Sequence, residues 1–260
     1  MGAIRRSRNV RPKVDAVRLT ERDSEILHAV GRMKVVTSHE LAALFFGDRS
    51  TASRRLARLV GAGLLKVRLL DLNHPNLYVL TRKGFDLLVA EGTDPDALHL
   101  GAVRRGEGLE HLLRLNDVRV ALELEARTHP GVALDVFLAD HDLRRAAGAN
   151  PRAYIPDALV RLRRPPPAFA LGLAIEVDLG TEAPSVVATT KGAETFALAK
   201  HRTPLWGLDR WRIIFVAPSE KRLRSVARAL HEAGVGSFWF GSDMERIRAT
   251  GLLGPSWLSM

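Results

Sequence analysis

Residues 20–65 read TERDSEILHAVGRMKVVTSHELAALFFGDRSTASRRLARLVGAGLL, and this stretch decides the fold of the first half of the chain. Thr20 can cap a helix whose third residue, Asp23, reaches back to the cap as in a capping box. A second helix begins near Thr37 and stops at Gly47, a residue suited to a tight turn. The pattern therefore predicts two short helices that are followed closely by a third.

The third predicted helix, residues 50–62, is amphipathic with a cationic outer side. Two apolar runs follow at residues 64–70 and 77–80, separated by turn residues, and they predict a hairpin. Thr81 then caps a fourth helix, residues 82–90. Because three helices, a hairpin and a helix form the order of a winged helix-turn-helix, the sequence predicts that fold for residues 20–92, with the third helix in a DNA major groove.

The basic residues of this half are the predicted DNA contacts. The candidates on the third helix are Arg49, Ser50, Thr51, Arg54, Arg55 and Arg58, and the candidates for phosphate contacts are Lys66, Arg68, Arg82 and Lys83.

Charge supports double-stranded DNA as the partner. Residues 1–92 hold 17 lysines and arginines against 9 acidic residues, a net charge of +8, whereas residues 93–260 hold 22 against 20, a net charge of +2. Concentration of one sign of charge on one domain favours phosphate binding. The alternative is a winged helix that contacts another protein, with its arginines solvated.

Amino-acid composition excludes several classes of protein. The chain has no cysteine, which excludes disulfides and thiolate catalysis, and no apolar run approaches the roughly 18 residues that a membrane span needs. Residues 1–19 form a basic arm without the apolar stretch of a signal peptide. We therefore expect a cytoplasmic protein without a membrane contact.

The second half has an α/β pattern. Residues 93–108 lose periodicity and are predicted to be a linker, residues 109–245 a second domain with a central mixed sheet, and residues 246–260 a C-terminal tail. Within the domain the sequence predicts a helix, three strands, a helix, a strand, a helix and a strand, in that order. The predicted strands are residues 132–138, 153–162, 169–177, 211–217 and 235–240, and the predicted helices are residues 109–128, 184–200 and 219–233.

Three acidic residues lie on or at the end of two predicted strands. Asp157 lies on the second strand, and Glu176 and Asp178 end the third, two residues apart and hence on one side. If Asp157 comes alongside, three carboxylates converge and can hold Mg²⁺, which prefers oxygen ligands and activates water. His141 with Asp140 and Asp142 is a second candidate metal site, but a solvated loop is the preferred interpretation, because no second histidine lies at ligand spacing.

This order of elements and acids resembles the PD-(D/E)xK nuclease core. That core carries a lysine where this chain has Asp178, and Lys191 on the following helix can supply the same charge from another direction. The resemblance implies either catalysis by Asp157, Glu176, Asp178 and Lys191, or a nuclease-like scaffold without catalysis. Catalysis is therefore left open.

Seven segments in order also resemble the bacterial replication-relaxation proteins of plasmids and mobile elements. They are LTERDSEILHAVGRMKVVTSHELAALFFGD, STASRRLARLVGAGLL, YVLTRKG, LEHLLRLNDVRVALELE, IPDALVRLR, IEVDLGTE and FVAPSEKRLR. The resemblance implies a DNA-binding protein that acts in plasmid replication and DNA relaxation, with a homodimer and plasmid replication proteins as possible partners. It also points to supporting residues at His111, Asn116, Asp117 and Glu182.

Two alternatives stay open beside that function. One is a metal-dependent endonuclease that nicks DNA through Asp157, Glu176 and Asp178, and the other is a winged-helix transcription regulator. A tyrosine relaxase is not supported, since the sequence has no paired-histidine metal motif, and the absence of a Gly-rich phosphate loop argues against an ATP-driven helicase.

Overall fold

Two structural units divide the chain, Met1–Ala102 and Val103–Met260. The computed structural model describes residues 18–69, 74–101, 106–148, 154–164, 169–252 and 257–260. The predicted basic arm, apart from residues 18 and 19, lies outside the described residues.

The first unit contains four helices and a small antiparallel sheet among its described residues. The elements are α1 (Glu21–Met33), β1 (Val36–Thr37), α2 (Ser38–Phe45), α3 (Arg49–Gly61), β2 (Leu65–Arg68), β3 (Leu77–Leu80) and α4 (Arg82–Ala90). The strand order is β1-β3-β2. β2 and β3 form a hairpin in register Leu65↔Leu80, whose connecting residues 70–73 lie outside the described part.

Local capping explains where these helices begin. The Thr20 backbone N–H donates to the Asp23 carboxylate at 2.7 Å, which confirms the predicted reach of Asp23 back to the cap. Thr37 and Glu40 form a second capping box. The Thr51 backbone N–H donates to the Asp48 carboxylate at 2.8 Å, so Asp48 caps α3.

The segment after α4 packs against the first unit. Residues 95–97 form a short 3₁₀ turn, Leu98 is buried, and the His99 backbone N–H donates to the Gly31 carbonyl at 2.8 Å. Gly31 permits this contact because a side chain there would collide with Leu98. The predicted linker therefore includes residues that belong to the packing of the first unit.

The second unit is a six-stranded mixed sheet with helices on both faces, which confirms the predicted mixed sheet. Its elements are α5 (Glu107–Thr128), β4 (Ala133–Ala139), α6 (Asp140–Ala147), β5 (Ala158–Arg164), β6 (Phe169–Val177), α7 (Pro184–Val187), α8 (Ala193–Lys200), β7 (Trp211–Ala217), α9 (Glu220–Glu232), β8 (Trp239–Asp243), α10 (Met244–Thr250) and β9 (Leu258–Ser259). A π-helical turn, Ala188–Gly192, joins α7 to α8.

The strands lie in the order β4-β5-β6-β7-β8-β9. β6, β7 and β8 are parallel, and the other neighbours are antiparallel. One face of the sheet packs against α7 to α9, with Phe215 and Trp239 in its core. The other face packs against α5 and α10, with Ile175 and Val216 in its core. Both faces of the central strands are buried, so β6 and β7 are nearly continuous apolar runs.

Several predicted boundaries in this unit differ from the structure. β5 begins at Ala158, so Asp157 precedes the strand instead of lying on it, and β8 begins at Trp239 instead of residue 235. Residues 140–147 form α6 instead of a solvated loop, because Leu143 is buried beneath them. The predicted tail contributes part of α10 and strand β9, which pairs with β8.

Candidate functional site

The exposed side of α3 carries two basic residues that face solvent. Arg54 and Arg58 are exposed and one helical turn apart, while Leu56 and Leu59 face the core. The neighbouring exposed positions hold the small residues Ser50, Ser53, Ala57 and Gly61. Small residues around two long cations allow a flat partner to approach the helix closely.

Three of the predicted DNA contacts bind groups within the first unit. The Arg55 guanidinium pairs with Asp23, whose side chain is fully buried. The Lys83 ammonium donates to the Ala62 carbonyl at the C-terminal end of α3, at 2.8 Å. Arg82 forms an exposed ion pair with Asp86 at 2.9 Å.

The other predicted contacts keep their polar groups turned outward. Arg49 and Ser50 are exposed at the start of α3, Thr51 is half-buried, and Lys66 and Arg68 are exposed on β2. Among the predicted contacts, the exposed basic residues for which the described part of the chain gives no acidic partner are Arg49, Arg54, Arg58, Lys66 and Arg68. Arg54 Nη2 donates to Thr51 Oγ1 at 3.3 Å.

In the second unit, strand register brings Asp157 beside Glu176. β5 and β6 are antiparallel with Ala158 opposite Ile175, so the residue before β5 lies across from Glu176. The Val177 backbone N–H donates to Asp157 Oδ2 at 2.7 Å and holds this carboxylate at the sheet edge. The prediction that a neighbouring strand aligns Asp157 with Glu176 is consistent with this register.

Glu176 is buried and both of its oxygens are bound. Its side chain is 1 % exposed. The Tyr154 hydroxyl donates to Oε1, and the Lys191 ammonium donates to Oε2 from the π-helical turn. Lys191 therefore reaches the acids from the following helix, the direction that the sequence suggested.

Asp157 has a histidine partner on α5. His111 Nε2 lies 3.1 Å from Asp157 Oδ2. This hydrogen bond, aided by the carboxylate charge, raises the pKa of His111 above its ordinary value although burial lowers it. We name the group His111, Tyr154, Asp157, Glu176 and Lys191 the polar cluster.

Burial shapes the protonation of the polar cluster. It raises the pKa of Glu176 to about 7, and the nearby Asp157 charge adds to the shift, while Lys191 and Tyr154 oppose it. Burial lowers the pKa of Lys191, but the carboxylates of Glu176 and Asp157 raise it by more, so its pKa lies above the ordinary value. The pKa of Tyr154 is raised well above its ordinary value, mainly by burial.

Asp178 is bound separately from the polar cluster. Arg222 Nε donates to Asp178 Oδ2 at 2.6 Å and Arg222 Nη2 to Oδ1 at 3.2 Å. The same Nη2 donates to the Glu182 carbonyl at 2.7 Å, so one guanidinium holds both ends of the loop after β6. Glu182 contributes only its backbone to this contact, and its side chain is exposed.

The remaining supporting candidates lie on α5. Asn116 is buried. Asp117 lies 3.5 Å from Arg114 and 3.6 Å from Arg248, and burial raises its pKa. These contacts hold α5 near α10, so Asp117 has a structural role in this arrangement.

The three predicted metal ligands do not fit a single divalent cation. Among the described residues, Asp157, Glu176 and Asp178 do not bring one carboxylate oxygen each to within 4.8 Å of one another. Glu176 is already bound by an ammonium, and Asp178 is already bound by a guanidinium. Mg²⁺ requires several oxygen ligands about 2.1 Å away, which this arrangement does not present.

Two residues that bind the acids of this region were not predicted from the sequence. The sequence pattern does not indicate a site role for Tyr154 or for Arg222, because each meets its partner only through the tertiary fold. Arg222 lies in the first turn of α9 and reaches Asp178 at the end of β6. The available signal for a partner such as Arg222 was Asp178, an acid directly after an apolar strand, because a buried charge requires a cationic partner.

No helix in the described part of the chain combines the length and apolar character that crossing a bilayer requires.

Comparison with known proteins identifies the family. The profile of the replication-relaxation family matches residues 27–215, so the chain belongs to that family, as its sequence motifs predicted. No curated protein matches it. Among solved structures, the restriction endonuclease FokI is similar with a TM-score of 0.33 and 12 % identity, over 87 % of this chain and 42 % of that chain. The chain thus spans less than half the length of FokI.

Proposed function

We propose that this protein binds double-stranded DNA through its first unit and acts in the replication and relaxation of a plasmid or another mobile element. The family supports the setting. The observation that carries DNA binding is the exposed side of α3, where Arg54 and Arg58 project between small residues.

In this proposal the first unit is a winged helix-turn-helix. α3 lies in the major groove, and the β2–β3 hairpin is the wing, with Lys66 and Arg68 facing the phosphate backbone. Arg49 and Ser50 at the start of α3 add further contacts to the DNA. The hairpin lengths and the strand order β1-β3-β2 support this assignment.

A salt titration of duplex binding tests the proposal. Log Kobs falls with log salt concentration at a slope of about −0.9 for each phosphate contact, so Arg54→Gln and Arg58→Gln should each lower the slope magnitude by about 0.9. Arg32→Gln is the matched control, because Arg32 is an exposed arginine on α1 and its loss removes the same charge from the same unit. Fluorescence anisotropy with a labelled duplex measures all four proteins.

Two results would contradict DNA binding by α3. One is the absence of duplex binding by the intact chain at 50 mM salt, roughly where nonspecific electrostatic affinity is strong. The other is equal salt slopes for Arg58→Gln and Arg32→Gln. Binding restricted to the promoter of the neighbouring operon, without an effect on plasmid copy number, would instead favour a transcription regulator.

A metal-dependent endonuclease is the second candidate function. The observation that favours it is the meeting of Lys191 with Glu176 beside Asp157, which resembles the acids and lysine of the nuclease core. We infer that the second unit is not catalytic, because both oxygens of Glu176 are bound and Asp178 is paired with Arg222.

Supercoiled plasmid separates these two functions. We expect the intact protein with Mg²⁺ or Mn²⁺ to produce no more nicked circles than the Asp157→Ala variant. Nicking that depends on Asp157 would establish the endonuclease.

A further inference from the structure

The acidic residues at the end of β6 are already neutralised by the protein's own cations. Lys191 binds one oxygen of Glu176, and Arg222 binds both oxygens of Asp178. Asp157 Oδ2 accepts from a backbone N–H and lies next to His111. Cations of the chain therefore occupy the places that a metal would need.

The backbone around Lys191 is held firmly. Thr195 Oγ1 donates to the Lys191 carbonyl at 2.7 Å, and the buried indole of Trp239 donates to the same Thr195 oxygen at 2.9 Å. Thr195 is fully buried. These bonds fix the π-helical turn, and π-helical turns often orient functional side chains.

Burial makes the Lys191 contact hard to exchange. A fully buried carboxylate costs several kcal/mol unless a positive charge compensates it. A divalent cation entering between Asp157 and Glu176 would meet the Lys191 ammonium, and like charges this close repel each other strongly where burial lowers the effective dielectric constant.

We propose that Lys191 is the built-in counter-ion of Glu176 and Asp157 and that it excludes divalent cations from the polar cluster. The inference concerns the second unit alone, so it stands or falls independently of DNA binding by α3.

Manganese binding to the intact chain tests this proposal. The amplitude of the free Mn²⁺ signal in electron paramagnetic resonance measures bound metal, and pH 8 keeps Glu176 ionised. We expect wild-type protein to bind no Mn²⁺ at this cluster, so that its titration matches that of Glu176→Gln. One Mn²⁺ bound by wild type and lost in Glu176→Gln would overturn the proposal, whatever the variants below do.

Removal of the ammonium provides the converse test. Lys191→Met should gain one Mn²⁺ site that wild type lacks, and Asp157→Asn in the same chain should abolish it. Lys200→Met is the matched control, because Lys200 is exposed at the end of α8. A folded Lys191→Met variant, checked by tryptophan fluorescence, that binds no more Mn²⁺ than Lys200→Met would also overturn the role of Lys191. If that variant does not fold, the wild-type titration decides alone.

Discussion

Arg55 on α3 donates two hydrogen bonds to the carboxylate of Asp23 on α1, and the Asp23 side chain has no exposed surface. The same carboxylate accepts from the backbone and the hydroxyl of Thr20, so one buried acid caps α1 and anchors α3. Arg55 Nη2 also donates to the Arg18 carbonyl at 3.1 Å. An arginine that the pattern assigned to DNA therefore holds the helices of the first unit together.

Arg55→Met should destabilise the first unit. The variant leaves Asp23 buried without its cationic partner, and loss of one member of a buried ion pair costs about 3 kcal/mol. Circular dichroism during urea unfolding measures this loss, because its signal includes the helices of the first unit. All four tryptophans, Trp206, Trp211, Trp239 and Trp257, lie in the second unit, so tryptophan fluorescence should not change.

Arg58→Met is the control for this measurement. It makes the same change on the exposed side of α3, where no buried charge is left unpaired, and should alter the unfolding free energy by less than about 0.5 kcal/mol. Equal unfolding curves for Arg55→Met and Arg58→Met would show that the Asp23 contact is not stabilising.

Acid should reduce the difference between wild type and Arg55→Met. Burial raises the pKa of Asp23, but its bonds from Arg55 and Thr20 lower it by more, so the folded pKa lies below 3.8. This contribution to stability is complete above the ordinary pKa and disappears as the pH falls through the folded pKa. We expect the two circular dichroism midpoints to converge as unfolding is repeated at decreasing pH, and a constant separation would contradict this assignment.

Glu176→Gln should change how the stability of the second unit depends on pH. Between the ordinary pKa of 4.5 and the folded pKa of about 7, the folded protein retains a proton that the unfolded chain releases. The Glu176 contribution to the free energy of unfolding is therefore greatest below pH 4.5 and is lost as the pH rises to 7. The variant should gain stability relative to wild type with rising pH, by at most about 1.4 kcal/mol per pH unit.

Tryptophan fluorescence in urea at pH 5, 6 and 7 measures this effect in the unit that contains Glu176. Glu232→Gln is the control, because Glu232 is exposed at the end of α9. A constant stability difference between Glu176→Gln and wild type across this range would show that the pKa of Glu176 is not raised.

Arg222→Met should loosen the loop after β6. The substitution removes the bidentate partner of Asp178, which is 7 % exposed at its side chain, and frees the Glu182 carbonyl. We expect the second unit to lose about 3 kcal/mol, with faster amide hydrogen exchange in residues 178–183. Arg224→Met removes an exposed pair with Glu220 on the same helix and should change both quantities little. Unchanged hydrogen exchange in Arg222→Met would contradict the proposal that Arg222 holds this loop through Asp178 and the Glu182 carbonyl.

Lys83→Gln should separate a structural role from a DNA contact. The Lys83 ammonium binds the last turn of α3 at the Ala62 carbonyl, where a cation stabilises the helix by about 0.5 kcal/mol. We expect a small decrease in helix stability by circular dichroism and an unchanged salt slope in duplex binding. A slope reduced as much as in Arg58→Gln would assign Lys83 to a phosphate.

Local sequence predicted the parts of the fold that local physics controls. Thr20 with Asp23, and Thr81, cap their helices as expected, because a capping bond joins residues only three positions apart. Strands β6 and β7 coincide with the predicted ranges, since a strand buried on both faces leaves a long apolar run.

Elements with mixed or short patterns were harder to predict. Strand β9 is two residues long and depends on pairing with β8. α6 has one buried residue, Leu143, and its acidic start resembles a solvated loop. The helix predicted for residues 184–200 contains a π-helical turn, which no local pattern indicated, and Lys191 lies on that turn.

By itself, the sequence determined the family, the mixed sheet and the position of Glu176 near the end of β6, whereas only the structure placed Asp157 just before β5. Only the tertiary structure decided which charges are paired within the protein. Arg55 forms an ion pair with Asp23, Arg222 with Asp178, and Lys191 with Glu176. Charge pairing depends on distances of a few ångströms between residues 15 to 44 positions apart, and residue spacing along the chain carries no such distances.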